Sequence, residues 1–211
     1  MYDLPYYKEK DENVIKEFID KYPFAFLTGC DAQNKPVATQ VPVFIEQEGE
    51  RKILRGHIMK NNDHHIAFEN NPNVLVVFTG PHTYVSATWY SNPSQASTWN
   101  YMSVHVKGQI RFLGFDALVS VLRKTSLYFE DDNKSSSTVF DNLSKEYTER
   151  LMKAIVAFEI EVTDMQHVFK LSQDRDEKSH QNIIEKLRAQ GGDGAAIAEE
   201  MMKRKSELKQ G

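Results

Sequence analysis

The length, composition and charge of the chain are typical of an ordinary globular protein. It has 211 residues, of which 40% are hydrophobic and 27% charged, enough for one sizeable domain or for one domain with an appended arm. The formal net charge of −4 argues against a broad surface for nucleic acid or for an anionic membrane. The single cysteine, Cys30, excludes an intramolecular disulfide and argues against a cysteine-based zinc site. Without an apparent membrane span or signal peptide, we expect a cytoplasmic protein.

The first half of the chain predicts one helix followed by short strands and hairpin turns. Asp11 can cap a helix with one apolar face, and Pro23 ends it. The segments that follow are strands at residues 24–29, from 37 onward, 53–58, 74–78 and 83–86, with a short helix at about 62–69. Pro42 is predicted to interrupt the second strand and to lie at an edge, a bulge or a ligand-facing gap. Gly80 and Pro81 are predicted to break the strand that begins at residue 74.

The second half begins with a polar loop at residues 91–97, long enough to be functional. A long strand follows, in which one face carries Val104, Val106, Ile110 and Phe112. Asp116 then opens a helix whose apolar residues are Leu118, Val119, Leu122 and Phe129. A short helix at about residues 144–153 leads into a last strand that alternates between apolar and polar residues over 156–163.

The character of the chain changes after Leu171, where strands give way to two polar helical stretches. These stretches cover about residues 176–189 and 195–208 and are separated by the glycine-rich segment 191–194. We therefore predict a barrel domain at residues 1–171 and a C-terminal helical arm at residues 172–211, packed on the barrel or on a partner. Six or more strands with hairpin turns predict a mainly β (α+β) fold around a closed or partly closed antiparallel barrel.

Several short segments, taken in order and spacing, resemble a single family. They are residues 36–42, 56–62, 78–86, 98–101, 104–108 and 170–175, together with Trp89-Tyr90 and Gly192-Asp193. This ordered set resembles the PaiB family of FMN-binding negative transcriptional regulators over nearly the whole chain. The resemblance implies a flavin split β-barrel, similar in fold to pyridoxamine phosphate oxidases. It also implies a homodimer that binds FMN at the subunit interface.

The resemblance places the FMN phosphate near Lys60, Asn61 and Asn62. These residues lie where a strand is followed by a helix, and a helix N-terminus offers free N–H groups and the positive end of the helix dipole. The family usually has Ala-Arg-Ala-Asn-Pro at this point, whereas this chain has Met59-Lys60-Asn61-Asn62-Asp63. Lysine supplies a point charge in place of the forked donor of arginine. The alternative interpretation is a plain helix start with an exposed lysine.

The flavin ring needs an apolar or aromatic slot and a few hydrogen bonds. The candidates on the second and third strands are Thr39, Gln40, Val41, Pro42 and His57. A proline there can leave a backbone gap for the edge of the ring, and the alternative is an edge strand that tolerates proline. His57 can donate to a flavin oxygen or to the phosphate, or can be satisfied by neighbouring backbone.

The candidates in the second half of the chain are Trp89, Trp99, Asn100, Tyr101, Gln173 and Arg175. The aromatic residues can wall the ring, although core packing is the more frequent role of such side chains. A buried Asn100 needs a hydrogen-bond partner. Gln173 and Arg175 can reach a partner's flavin or can tie down the arm. We predict no metal site, because adjacent histidines point apart on a helix.

Two functions remain open at this stage, with a third that is weaker. The resemblance implies an FMN-binding transcriptional regulator, but contact with DNA is doubtful because no helix-turn-helix or basic stripe is evident. The alternative is an FMN-dependent oxidoreductase, either a flavin reductase or a pyridoxamine phosphate oxidase-like enzyme, acting on an unidentified small molecule. Haem degradation is the weaker third function, for which His57, His82 and His105 are the candidate ligands.

Overall fold

The structure is a computed structural model that describes the backbone of residues 1–208 and the side chains of residues 1–204. Its six strands are β1 Phe24–Cys30, β2 Pro36–Glu48, β3 Arg51–Met59, β4 Asn73–Val85, β5 Thr98–Phe112 and β6 Ile155–Lys170. Its helices are α1 Glu12–Lys21, α2 Asp63–Asn70, α3 Phe115–Phe129, α4 Lys145–Met152, α5 Glu177–Gln190 and α6 Gly192–Leu208. None of these helices is both long and apolar enough to cross a membrane.

The strands form a closed barrel in the order β1-β2-β3-β6-β5-β4. The pairs β1·β2, β1·β4, β2·β3 and β3·β6 are all antiparallel. This arrangement confirms the prediction of a mainly β fold with flanking helices. Closure removes the exposed sheet edges at which strands of different molecules would otherwise pair.

The chain divides into two compact units, which we describe separately. The central unit comprises Ile19–Phe78 and His105–Met165. The terminal unit comprises Met1–Phe18, Thr79–Val104 and the chain from Gln166 onward. The predicted division of the chain at residue 171 stays a prediction.

In the central unit, β3 shows how the interior is filled. Leu54, Gly56 and Ile58 point inward and are buried, whereas the residues between them face out. A Cβ atom on Gly56 would lie 2.7 Å from the Phe158 ring and 2.8 Å from the Pro42 carbonyl oxygen. Only glycine therefore fits where β2, β3 and β6 approach one another most closely.

The prediction that Pro42 interrupts the second strand is wrong, because β2 runs unbroken through it. Pro42 pairs with Phe24 of β1, and the N–H of Val43 donates to the carbonyl of Pro23 at 2.8 Å. The nitrogen of Pro42 consequently points to the β3 side, where pairing stops at Val43 and Gly56. The proline thus occupies a place in the ladder that requires no donor.

The predicted break at Gly80 and Pro81 is also wrong, since β4 continues through both residues to Val85. Both residues are buried, although they are consecutive. Buried side chains fall at even positions before this point and at odd positions after it. Gly80 and Pro81 therefore mark the point within β4 where the alternation of buried and exposed residues changes phase, as at a β-bulge.

Other predicted boundaries shift for identifiable reasons. β6 extends to Lys170, and Ala157, Phe158, Glu159 and Ile160 are buried in succession instead of alternating. Both faces of β6 are covered there, because Leu118 and Val121 of α3 cluster with Ala157 on the outer face.

The last two helices are separated by Gly191 alone. Phe129, predicted to pack, is 54% exposed.

Candidate functional site

The structure places the predicted cofactor residues in both compact units. The central unit holds Thr39, Gln40, Val41, Pro42, His57, Lys60, Asn61 and Asn62. The terminal unit holds Trp89, Trp99, Asn100, Tyr101, Gln173 and Arg175. Each group is described within its own unit.

The β2 candidates lie beside β1 on the wall of the barrel. Gln40 pairs with Phe26, and Pro42 pairs with Phe24. Both phenylalanines are exposed, Phe24 at 58% and Phe26 at 41%. The outer surface here is therefore apolar, and the described part of the chain leaves both rings about half exposed.

His57 lies on the outer face of β3, opposite Ala157 of β6. Its Nδ1 atom is buried and makes no hydrogen bond to any residue that the structure describes. Burial lowers the pKa of the imidazole, so the ring is neutral at neutral pH and has one donor and one acceptor nitrogen. A buried polar atom without a partner is costly, and a polar ligand group beside it would remove that cost. This observation fits a flavin, whose ring edge and phosphate are both polar.

Lys60, Asn61 and Asn62 form the tight turn between β3 and α2. The N–H of Lys60 donates to the Ala154 carbonyl at 2.8 Å. Asn61 has a φ of +64°, a left-handed conformation that asparagine tolerates, and its N–H donates to Nδ1 of His65 at 3.3 Å. Asn62 is the N-cap of α2, but its side chain accepts no capping hydrogen bond. The turn is held by its backbone, which leaves its side chains available.

The charges around this turn act in opposite directions on an anion. No carboxylate in the described part of the chain pairs with the Lys60 ammonium. The ammonium and the N-terminus of α2 both attract a phosphate. Asp63 opposes them: its side chain is 78% exposed, and its Oδ1 accepts the N–H of His64 at 2.7 Å. The residues present fit a phosphate through Lys60, with Asp63 as a counteracting charge.

In the terminal unit, three exposed rings on β4 and β5 form what we call the aromatic platform. The Trp99 ring lies 6.2 Å from the ring centroids of both His82 and Tyr84. Trp99 is 53% exposed and Tyr84 48% exposed. Asp193, at the start of α6, accepts the backbone N–H of His82 at 3.3 Å. The platform has the exposed aromatic character predicted for a ring wall, and that role stays a prediction.

Asn100, between Trp99 and Tyr101, is fully buried and uses protein partners. Its Oδ1 accepts from the Ser172 hydroxyl at 3.0 Å, and its Nδ2 lies 3.6 Å from the Met201 sulfur. These contacts favour a role in joining β5 to the C-terminal segment. Tyr101 is half-buried, and burial raises the pKa of its phenol. The backbone oxygen of Trp89 accepts from Asn182 at 3.0 Å.

The side chains of Gln173 and Arg175 also bind the protein itself. Gln173 accepts the N–H of Leu171 at 2.7 Å and donates to the carbonyl of Phe169 at 2.5 Å. The guanidinium of Arg175 lies 4.6 Å from the Tyr90 ring centroid. These contacts favour the predicted alternative, in which both residues tie down the arm.

A charge network on the outer face of the central unit left no recognisable signal in the sequence. Arg55 donates to Glu46, Glu48 and Glu159, and Arg111 also donates to Glu159. Lys124 of α3 also donates to Glu46, and Arg51 lies 3.8 Å from Glu48. Each carboxylate of the network is therefore paired with at least two cations. The network borders a cavity of about 320 Å³ beneath α3. The alternation of residues along a strand cannot reveal this network, because the network also includes Lys124 of α3.

Comparisons with known proteins agree with this architecture. The family described as "Putative FMN-binding domain" matches residues 1–164. The chain is 33% identical over 205 residues to "Protease synthase and sporulation protein PAI 2" of Bacillus subtilis (strain 168), covering 97% of this chain and 98% of that protein.

Two solved structures are similar in fold. The flavocytochrome Anf3 from Azotobacter vinelandii has a TM-score of 0.58 at 14% identity, covering 86% of this chain and 78% of that chain. The FAD and haem binding protein from Mycobacterium smegmatis has a TM-score of 0.56 at 15% identity, covering 87% of this chain and 80% of that chain. At these identities the likeness is one of fold alone.

Proposed function

Because the chain belongs to the PaiB family of FMN-binding proteins, we propose that it works as a homodimer in which the turn at Lys60, Asn61 and Asn62 holds the FMN phosphate. FMN is the cofactor of that family's domain, and the proposal concerns where it binds and how the chain assembles. When bound, FMN supplies one- and two-electron redox chemistry.

The observation that carries the phosphate site is the Lys60 ammonium, which lies at a helix start without a carboxylate partner among the described residues. A phosphate there gains the lysine charge together with the positive end of the α2 dipole. The backbone hydrogen bonds of Lys60 and Asn61 fix the turn before the ligand arrives, so little ordering is needed on binding.

His57 lies on β3, shortly before this turn, and is a candidate for a contact with the flavin ring or with the phosphate. Its buried Nδ1 atom has no partner among the residues described, and a polar group of FMN would supply one. Thr39, Gln40, Val41 and Pro42 remain candidates for the ring edge, since pairing between β2 and β3 ends at Val43 and Gly56. In the terminal unit, Trp99 stays a separate candidate for stacking on a flavin ring, because more than half of its surface is exposed.

The homodimer is supported by the outer face of β1. Phe24 and Phe26 alternate along the strand on the outside of the barrel, and both are exposed. Their lateral neighbours Pro42 and Val77 extend this apolar surface. A second copy of the chain is the occupant we propose, because contiguous exposed apolar area on a barrel wall marks an interface. We expect the interface to bury on the order of 2,000 Å² or more in total.

Two measurements test the proposal directly. Adding FMN should quench its fluorescence with a dissociation constant of about micromolar or lower. Sedimentation equilibrium should give a dimer, and Phe26→Asp should shift it to monomer by placing a charge in an apolar interface. Phe129→Asp is the matched control, since Phe129 is 54% exposed, against 41% for Phe26, but lies on α3. Absence of FMN binding, or a wild-type monomer that retains FMN, would refute the corresponding half of the proposal.

We also propose a biological role, based on the family to which the chain belongs. The PaiB resemblance implies negative transcriptional regulation, and an FMN-dependent oxidoreductase is the alternative. Steady-state oxidation of reduced nicotinamide by the flavin-loaded protein separates them. Sustained turnover supports the enzyme, whereas its absence together with tight FMN binding supports the regulator.

A further inference from the structure

A small cavity in the terminal unit lies between the turn that follows β6 and the two C-terminal helices. Its volume is about 120 Å³. Side chains from the turn, from α5 and from α6 line it, among them Leu171, Gln173, Arg175, Glu177, His180 and Arg204. A cavity of this size is too small for an isoalloxazine ring, since pockets for ligands of that size measure roughly 300 Å³ or more.

Two arginines that line the cavity use the same half of the guanidinium for protein contacts. Arg175 donates from Nη1 to Gln95, and Arg204 donates from Nη1 to Glu9. The Nε atoms of both are buried and make no hydrogen bond to the part of the chain that the structure describes, whose side chains end at residue 204. Asp174 Oδ1 lies 3.9 Å from the Nε of Arg175, which is beyond hydrogen-bond distance.

The unused edge of each guanidinium determines the chemistry that fits. Nε and Nη2 form a planar pair of donors that matches the two oxygens of a carboxylate. A buried charged donor without an acceptor is costly, and an oxyanion beside it would supply that acceptor. The aromatic contacts of Arg175 with Tyr90 and of Arg204 with Phe169 hold both guanidinium planes in place.

The surrounding charges select among oxyanions. Glu9 is already shared with Arg204, whereas Asp174 and Glu177 add negative charge near the cavity. Counted together, the two arginines and these three carboxylates leave one formal negative charge, which opposes a dianion about twice as strongly as a monoanion. We propose that the cavity binds the carboxylate of a small molecule through Arg175 and Arg204, at a site separate from that of the FMN phosphate.

The test uses acetate as the probe and the full-length protein labelled with ¹⁵N at arginine. Two Nε–Hε resonances should shift saturably with acetate at millimolar concentrations, and not with chloride at the same ionic strength. Inorganic phosphate should bind more weakly than acetate. Arg175→Lys and Arg204→Lys keep the charge but remove the forked edge, and each should raise the acetate dissociation constant about tenfold or more. Arg188→Lys, on the exposed part of α5, is the matched control and should leave it unchanged.

Saturating the protein with FMN separates this proposal from the previous one. Acetate binding that is equal with and without FMN supports a separate site, and it would do so even if FMN did not bind at all. The proposal is overturned if acetate gives no saturable shift up to about 50 mM, which is well above a millimolar dissociation constant. It is also overturned if Arg188→Lys weakens binding as much as the other two variants, or if FMN displaces acetate.

Discussion

Replacing Lys60 with methionine should weaken FMN much more than riboflavin. The change removes the ammonium and keeps a side chain of similar length, while the backbone bond from Lys60 to Ala154 is untouched. Riboflavin has the same ring without the phosphate, so its affinity reports the ring site alone. The difference between the two ligands isolates the phosphate contact.

The structure bounds the size of the effect. A hydrogen bond to a charged group contributes about 1.5–3 kcal/mol when it is well shielded. Lys60 is only half-buried, so solvent screening favours the lower part of that range. About 1–2 kcal/mol corresponds to a rise of roughly 5–30-fold in the FMN dissociation constant. The riboflavin constant should change by less than about twofold, and raising the salt concentration should shrink the difference.

Fluorescence-quenching titrations with both flavins measure these constants. Lys52→Met is the matched control, because Lys52 lies eight residues earlier, near the start of β3, about 26 Å away along an extended chain. It should leave both constants unchanged. Equal weakening of FMN and riboflavin by Lys60→Met would show that Lys60 supports the fold of the turn and would refute its role with the phosphate.

Three further predictions follow from the same geometry. Asp63→Asn should tighten FMN by about 2–5-fold in the same titration, because it removes a like charge worth roughly 0.3–1 kcal/mol at the helix start; weaker binding would contradict this. Burial lowers the pKa of His57 in the folded chain, so the unfolded chain takes up a proton at a higher pH than the folded chain does. The free energy of unfolding should therefore fall as the pH drops below about 6.5. In denaturant unfolding, His57→Gln should remove part of that loss, since burial also lowers the pKa values of His105 and His167; an unchanged dependence of stability on pH refutes the assignment. Gly56→Ala should lower the melting temperature by about 4–10 °C, through roughly 2–3 kcal/mol of overpacking, whereas Gly114→Ala, with open space around it, should change it little.

The sequence predicted the barrel strands well, because hydrophobic periodicity marks them directly. The sequence-based prediction was wrong at Pro42 and at Gly80-Pro81, where proline and glycine lie within a continuous strand and do not end it. Pro42 is tolerated because its nitrogen faces the side where pairing with β3 has ended, and that depends on the register of a neighbouring strand. Periodicity within one strand contains no such information.

The candidate site was predictable in part. The turn at Lys60 lies where the sequence placed it, because the change from strand to helix leaves a clear local signal. The unpaired Nδ1 of His57 had no such signal, since it depends on how β6 and its neighbours cover the ring. Burial of Glu159, and therefore its pairing with Arg55 and Arg111, likewise depends on tertiary packing.

The phase change in β4 limits which changes in chain length the protein can accept. Before Gly80 the buried positions are even, and after Pro81 they are odd, so His82 and Tyr84 face solvent and Val85 faces inward. Inserting one further residue after Pro81 would turn those two rings into the interior while expelling the valine. Natural length variation among relatives should therefore fall in the turn at Gly49 or in the connection at residues 131–138, and it should spare the Gly80-Pro81 pair.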